Sequence, residues 1–181
     1  QKVARSVVQP FQRAKLNFAT LGQKERCTGD PARRLGEEFL YQDLAGSNVA
    51  TLQASKVRKI VTPCPHCLNT LAREYPALGG HFEVFHHSEL LAQLVDEGRL
   101  KPAAASAERV ALHDPCYLAR AHDDVHSLRR VLAPLGPNLK ELPRHGKKRR
   151  AAAPAGDACI STNRPPNGSP KAAPTRSFKR A

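Results

Sequence analysis

Val57-Arg58-Lys59-Ile60-Val61-Thr62-Pro63-Cys64-Pro65-His66-Cys67-Leu68-Asn69-Thr70-Leu71 is the stretch on which the reading of this chain turns. Its first six residues, rich in β-branched side chains, predict a strand. Pro63 and Pro65 close that strand, and a proline also suits the first turn of a helix. Leu68, Leu71 and Ala72 then continue at helical spacing. Two thiols three residues apart therefore sit where a strand gives way to a helix.

The same alternation runs outward in both directions. On the N-terminal side, Val3, Val7, Val8 and Phe11 mark a helix over residues 3–15 that Pro10 interrupts or kinks. Phe18-Ala19-Thr20-Leu21 reads as a short strand closed by Gly22, and a polar loop carries Cys27 and Gly29. Pro31 opens a long helix marked by Leu35, Phe39, Leu40, Leu44, Val49 and Leu52, with Gly46 as its candidate break. On the C-terminal side, Phe82–Phe85 is a strand and Ser88 caps a helix through Leu90, Leu91, Leu94 and Val95, which stops at Gly98. Arg109–Leu112 is a strand running into His113-Asp114-Pro115-Cys116. A helix bearing Val125, Leu128, Val131 and Leu132 follows, and Leu139–Leu142 completes the pattern. Five short strands alternating with helices predict an α/β fold, a mainly parallel sheet with covering helices. In such sheets the loops after the strands line the carboxyl edge, where ligands bind. Cys27, Cys64, Cys67 and Cys116 all fall in those loops.

Composition bounds the rest. The chain has 181 residues and a net charge of +13, unevenly placed. Residues 1–143 hold 19 basic and 15 acidic side chains, whereas residues 144–181 hold 10 basic and one acidic, Asp157. Past His145 the large apolar residues are Ile160 and Phe178 alone, too few to offset chain entropy. Two regions are expected: a cysteine-rich α/β domain over 1–144 and a disordered basic tail over 145–181. No apolar run reaches 18 residues and no signal-peptide pattern is present. Methionine is absent and the chain opens on Gln1, which reads as a piece of a longer or processed product. Five cysteines are few and odd in number for a disulfide scaffold, so metal or redox chemistry in a reducing compartment is favoured.

Cysteine spacing narrows that chemistry. At a helix start the thiolate form is favoured, which suits both metal ligation and disulfide exchange. A disulfide exchanger uses Cys64 and Cys67 and leaves Cys27 and Cys116 without a task. A structural zinc site wants a second paired knuckle, and the adjacent His86 and His87 diverge. An iron–sulfur cluster takes thiolates from separate loops. Cys159, in the tail, is given no role. A basic tail can also contact nucleic acid or acidic membranes. The folded part, however, has no aromatic-interleaved basic strand and no zinc-finger spacing, so no nucleic-acid partner is expected.

Three runs resemble a known family. Glu25-Arg26-Cys27-Thr28-Gly29-Asp30-Pro31-Ala32-Arg33-Arg34, Thr62–Leu71 and His113-Asp114-Pro115-Cys116-Tyr117-Leu118-Ala119-Arg120 are similar, in that order, to the cysteine-rich (CCG) domain of iron–sulfur-binding reductases related to heterodisulfide reductase. The likeness covers residues 1 to about 144 and is strongest to a membrane-bound subgroup that accepts electrons from electron-transfer flavoprotein. It implies that Cys27 stands at the Cys-Cys-Gly element of a first repeat, with Thr28 in place of the second cysteine, a variant common in that subgroup. Cys64 and Cys67 would be that repeat's closing pair, and Cys116 the opening cysteine of a second repeat. The resemblance further implies a 4Fe-4S-type cluster and electron relay, with an electron-donating flavoprotein or an upstream ferredoxin-like domain as partner. The site would lie in the cytoplasm, on the cytoplasmic face of the plasma membrane, with membrane contact only through parts of the parent protein. The runner-up is a metal-free thiol–disulfide oxidoreductase using Cys64 and Cys67; a basic nucleic-acid-binding protein is third.

The likeness stops after Arg144, where the family continues into a second Cys-Cys-Gly-Ala-Gly-Gly. Here Ala151-Ala152-Ala153-Pro154-Ala155-Gly156, read one base earlier, becomes xGC, xGC, xGC, xCC, xGC, xGG, which can spell that motif. Residues from about Gly146 are thus expected to be an out-of-frame reading, and the fragment alone to be inactive or poorly metallated. The gene sequence decides this: codons whose preceding bases cannot yield the cysteines end the idea. Smaller expectations concern single residues. Arg33 and Arg34 balance charge beside Cys27, and His66 tunes the thiol pair. Asp114 shapes an Asx-type turn before Pro115. One of His86 and His87 faces the site and the other faces water, neither as a ligand. Asp123 and Asp124 favour the dipole of the next helix.

Overall fold

The computed structural model describes residues 2–102 and 109–148, with side chains from residue 5 onward. The chain divides into two units, 1–150 and 151–181. The second unit lies outside the described residues, and with it the expected tail disorder, Cys159 and most of the stretch assigned to a shifted frame.

Helix α1 (Lys2–Arg13) keeps Pro10 inside it, and the N–H of Ala14 still reaches the Pro10 carbonyl at 2.9 Å. The expected strand Phe18–Leu21 does not form. A strand exists where a neighbour takes its backbone groups, and this segment pairs with none among the described residues. Its side chains pack instead: Phe18 meets Phe11 edge-on at 5.8 Å, and Leu21 lies on the first core cluster.

The long helix expected after Pro31 is two. α2 (Asp30–Arg34) ends, the chain turns at Gly36 with φ of +87°, and α3 (Glu38–Ala54) runs on through Gly46. A side chain at Gly46 would meet nothing within 4 Å, so that glycine faces open space and breaks nothing. The turn at Gly36, in contrast, needs the left-handed conformation that glycine adopts cheaply. One consequence is that Leu35 (82% exposed) and Phe39 (93%) do not reach the core. α3 buries Tyr41, Ala45, Asn48, Val49 and Leu52, a stripe at helical spacing.

β1 (Lys59–Thr62) pairs in parallel with β2 (Glu83–His86), from Lys59 opposite Glu83 to Thr62 opposite His86. Side chains alternate across a strand. Ile60 and Val84 accordingly pack on the cluster of Tyr41, Val49, Leu71 and Tyr75, while Val61 packs toward Phe11, Leu91 and Leu94. After β1 come α4 (Pro65–Asn69), a π turn over Thr70–Glu74 and a 3-10 turn over Tyr75–Leu78. α5 (His87–Asp96) is capped by His86, whose ring accepts the Ser88 N–H, rather than by Ser88 itself.

β3 (Val110–Leu112) pairs in parallel with β4 (Leu139–Glu141), and α6 (Ser127–Leu132) lies between them in sequence. The described fold is therefore mixed helix with two separate two-stranded parallel sheets. The single, mainly parallel sheet expected from the sequence is an overstatement. Strands of three or four residues supply few ladder bonds, and helices cover their faces instead of further strands extending them.

Candidate functional site

All four described cysteines are free thiols; Cys27 is exposed, and Cys64, Cys67 and Cys116 are half-buried. Cys64 and Cys116 stand just past the carboxyl ends of β1 and β3. Cys27 follows a 3-10 turn (Gly22–Lys24) instead of a strand. Since β1 and β3 belong to different sheets, no single rim collects the thiols. Side-chain bridges bring the three loops together.

The thiol pair is asymmetric. Cys64 ends the strand in extended backbone and caps α4, with Pro65 at the first helical position. The Cys67 thiol donates a hydrogen bond to the Cys64 sulfur, and the backbone N–H groups of Cys67 and His66 point at it. Together they hold Cys64 well below the usual thiol range, at about 5, against the opposing effect of burial. Cys67, the donor of that bond and more deeply set, is held protonated. The Cys27 loop closes onto this pair: the Thr28 hydroxyl donates to the Cys67 sulfur at 3.6 Å. Thr28, expected from the resemblance to replace a second cysteine, thus contacts the pair as a hydrogen-bond donor.

Buried groups from α3 and the following turns fix the Cys27 loop. Asn48 donates to the Cys27 carbonyl at 2.8 Å and to the Tyr75 hydroxyl at 3.0 Å. Tyr75 donates to the Thr28 carbonyl at 3.1 Å. Burial pushes the Tyr75 phenol up to about 12, despite the Asn48 bond, so it stays a donor at neutral pH. Gly29 has φ of +85°, and a Cβ there would sit 2.9 Å from the Tyr41 ring. Only glycine fits.

Beneath the pair lies a buried carboxylate, Asp30. It accepts from Thr70 Oγ1 at 3.1 Å and from Arg34 Nε at 3.0 Å, and its other oxygen meets His66 Nδ1 at 3.0 Å. Arg34 also pairs with Glu74, which Arg33 reaches at 3.2 Å. The two arginines expected to balance charge beside Cys27 therefore pair mainly with Asp30 and Glu74. The His66 ring packs on the Tyr117 ring, centroids 4.0 Å apart, which links the pair to the residue after Cys116.

Around Cys116 the support is ionic. Asp114 is buried and holds Arg129 through two bonds of 2.7 and 3.0 Å, and it accepts the Gly146 N–H at 2.6 Å. Arg129 continues to Glu141 on β4 at 2.6 Å. Both oxygens of Asp114 are engaged with these distant partners, so it ties α6 and Gly146 to the Cys116 loop in place of the expected local turn. Asp124 accepts the N–H groups of His126 and Ser127 and so caps α6. His86 and His87 are both drawn inward, and burial lowers both imidazoles, His86 to about 4. The expectation that one of them faces water is corrected by that burial.

Among the described residues, no three His, Cys, Asp or Glu side chains are grouped to hold one metal ion. Cluster thiolates attach to different irons, and the donor chemistry here suits that: sulfurs from separate loops, one already ionised, with amide and hydroxyl donors around them. The residues present fit such a group.

Residues 1–72 match the profile of the family described as CCG, Cysteine-rich domain. The chain carries a CCG-type cysteine-rich domain. It is similar to the "Probable membrane-anchored ferredoxin" of Chromohalobacter salexigens, 40% identical over 89% of this chain and 25% of the relative. It is 39% identical to the "EtfAB:quinone oxidoreductase" of Syntrophomonas wolfei over 78% of this chain and 20% of that protein. The "Probable iron-sulfur-binding oxidoreductase FadF" of Bacillus subtilis is 42% identical over 80% of this chain and 21% of its own length. The chain thus spans a quarter or less of the length of these curated relatives. No solved structure matches it. No helix among the described residues is long and apolar enough to cross a membrane.

The sequence supplied the thiols of this cysteine-rich domain but missed Asn48, Thr70, Glu74 and Tyr75. A polar Asn48 in the buried stripe of α3 was a readable hint. The other three carried none, because their partners are 5 to 47 residues away in sequence.

Proposed function

We infer that this cysteine-rich domain belongs to an iron–sulfur oxidoreductase and relays single electrons through a 4Fe-4S-type cluster. Cys27, Cys64 and Cys67 are its ligands on this chain, and Cys116 is the opening ligand of a second site. The observation that carries the reading is the closure of the Cys27 loop on the thiol pair, with Thr28 Oγ1 3.6 Å from Cys67 Sγ. When bound, a cluster supplies one-electron chemistry with little ligand movement. The chain's own residues supply the rest. Cys64 is ready as a thiolate, the helix amides offset negative charge, and Asn48 and Tyr75 hold the loop that brings Cys27. The names of the relatives in Syntrophomonas and Bacillus support an oxidoreductase role, and the former supports electron-transfer flavoprotein as donor. The Chromohalobacter name supports membrane association of the parent protein; placing this domain on the cytoplasmic face is part of the proposal alone.

The asymmetric pair favours one second reading. A low-pKa thiol beside a protonated one is also the arrangement of a thiol–disulfide exchanger. Anaerobic purification separates the two. Brown protein containing iron and sulfide is expected. Colourless protein that cycles a Cys64–Cys67 disulfide would overturn the cluster reading in favour of the exchanger.

A further inference from the structure

Asp30 is the first residue of α2, directly after the Cys27-Thr28-Gly29 turn, where an acidic residue ordinarily faces water and the positive end of its helix. Here it does not. Its residue surface is 4% exposed, and its two oxygens serve three groups on three elements: Arg34 of α2, His66 of α4 and Thr70 of the π turn. The consequence is geometric. The carboxylate lies at the join of the Cys27 loop and the Cys64–Cys67 helix, and its partner His66 rests against Tyr117, the neighbour of Cys116. The guanidinium of Arg34 lies 6.0 Å from the same Tyr117 ring. Every cysteine loop is within one side chain of this carboxylate or of a residue it holds.

The charges around it are nearly matched. Asp30, Glu74 and the exposed Glu38 face Arg33 and Arg34, with Asn69 also donating to Glu74 at 3.3 Å. Removing the Asp30 charge, the buried one of the three, leaves a positive excess relative to wild type close to the thiols. In a half-buried setting such an excess is weakly screened and favours any added electron nearby.

We propose that Asp30 is the positioning residue of the cysteine site: its buried carboxylate joins the Cys27, Cys64–Cys67 and Cys116 loops, and its charge sets how readily a cluster held there accepts an electron. The first half stands on the described geometry alone; the second rests on the cluster reading above. Asp30 touches neither substrate nor cluster in this account and acts through His66, Thr70 and Arg34.

The two halves are tested separately on the same chain. In metal-free protein, amide hydrogen exchange is compared between wild type, Asp30→Asn, which keeps the shape, and Glu83→Ala, which removes an exposed pair with Lys59. Faster exchange in Asp30→Asn, about tenfold and together at 27–30, 64–68 and 116–119, is expected, with Glu83→Ala silent there. Acceleration confined to 27–34 would overturn the joining role and leave Asp30 an ordinary first-turn acid. In protein reconstituted with iron and sulfide, a dye-mediated titration then reads the midpoint potential. Asp30→Asn is expected to raise electron affinity about tenfold, or 59 mV for one electron, while Asp30→Glu, which keeps the charge, stays near wild type. Equal potentials in Asp30→Asn and wild type, or equal shifts in Asn and Glu, would overturn the electrostatic half. Should wild type take up no cluster, the proposed function falls, while the exchange experiment still decides the positioning role.

Discussion

Two segments of this protein follow one local plan. Each runs from a short parallel strand, 59–62 or 110–112, through a proline–cysteine turn into a π turn, 70–74 or 117–121. Each has a buried aspartate near its cysteine turn, Asp114 from within the second segment and Asp30 brought to the first from α2. They differ in what surrounds the thiols. The first has two thiols, a third brought alongside by Thr28, and a core of Tyr41, Val49, Leu52, Leu71 and Tyr75 behind them. The second has one thiol, and an ion-pair chain from Asp114 through Arg129 to Glu141 holds it. Thiols gathered on a packed core form a site that is rigid before any metal arrives. A lone thiol on an ionic clasp supplies one ligand and depends on further groups to complete it.

The largest expected effect separates the two segments outright. Cys67→Ser should abolish iron uptake on anaerobic reconstitution, whereas Cys116→Ser should leave most of it. Equal losses in the two variants, read as iron and sulfide per chain, would dissolve the distinction.

Acid comes next, because the segments titrate differently. His86, on β2, is lowered from 6.5 to about 4 by burial, so the unfolded chain binds its proton first. Its contribution to stability is present above pH 6.5 and is lost as pH falls toward 4, about 3 kcal/mol in all. Asp114 is lowered by the Arg129 hydrogen bonds. Its contribution is present above the ordinary carboxylate value of 3.8 and is lost only as pH falls below that. Denaturant unfolding at pH 7, 5 and 3.5 should therefore show a first loss that His86→Asn reduces, with the remainder carried by His87 and His122, which burial also lowers. Arg129→Ala should instead lower stability at pH 7 and flatten the loss below pH 4.

Gly29→Ala should cost about 1–3 kcal/mol, from a strained φ and contact with Tyr41. Gly46→Ala, in open space on α3, should be neutral or slightly stabilising. Thermal melts of the two variants compare them directly. Thr28→Val is the mildest test. It removes the hydroxyl bond to Cys67 and should lower the midpoint of thiol oxidation or shift the cluster spectrum, with stability changed by about 1 kcal/mol or less.

How far the sequence reached is visible in particular residues. Strands β1 and β3 were legible because short apolar runs, β-branched in β1, meet Pro-Cys turns, and that placed Cys64 and Cys116. The helix break was put at Gly46, where a glycine faces solvent, instead of Gly36, whose positive φ depends on how α2 meets α3. Phe18–Leu21 has a strand's composition but no partner strand among the described residues, and composition cannot report a partner. Hence the expected rim of one sheet is replaced by loops held together by Thr28, Asp30 and His66. Those bridges span 36 to 40 residues of sequence, and local periodicity does not see contacts of that kind.

The most direct test of convergence is alkylation mapped by mass spectrometry before and after anaerobic reconstitution with iron, sulfide and a small thiol. The account predicts that Cys27, Cys64 and Cys67 become protected together, in step with bound iron and sulfide. Cys27 reacting at an unchanged rate while Cys64 and Cys67 are protected, or no sulfide bound at all, would contradict it.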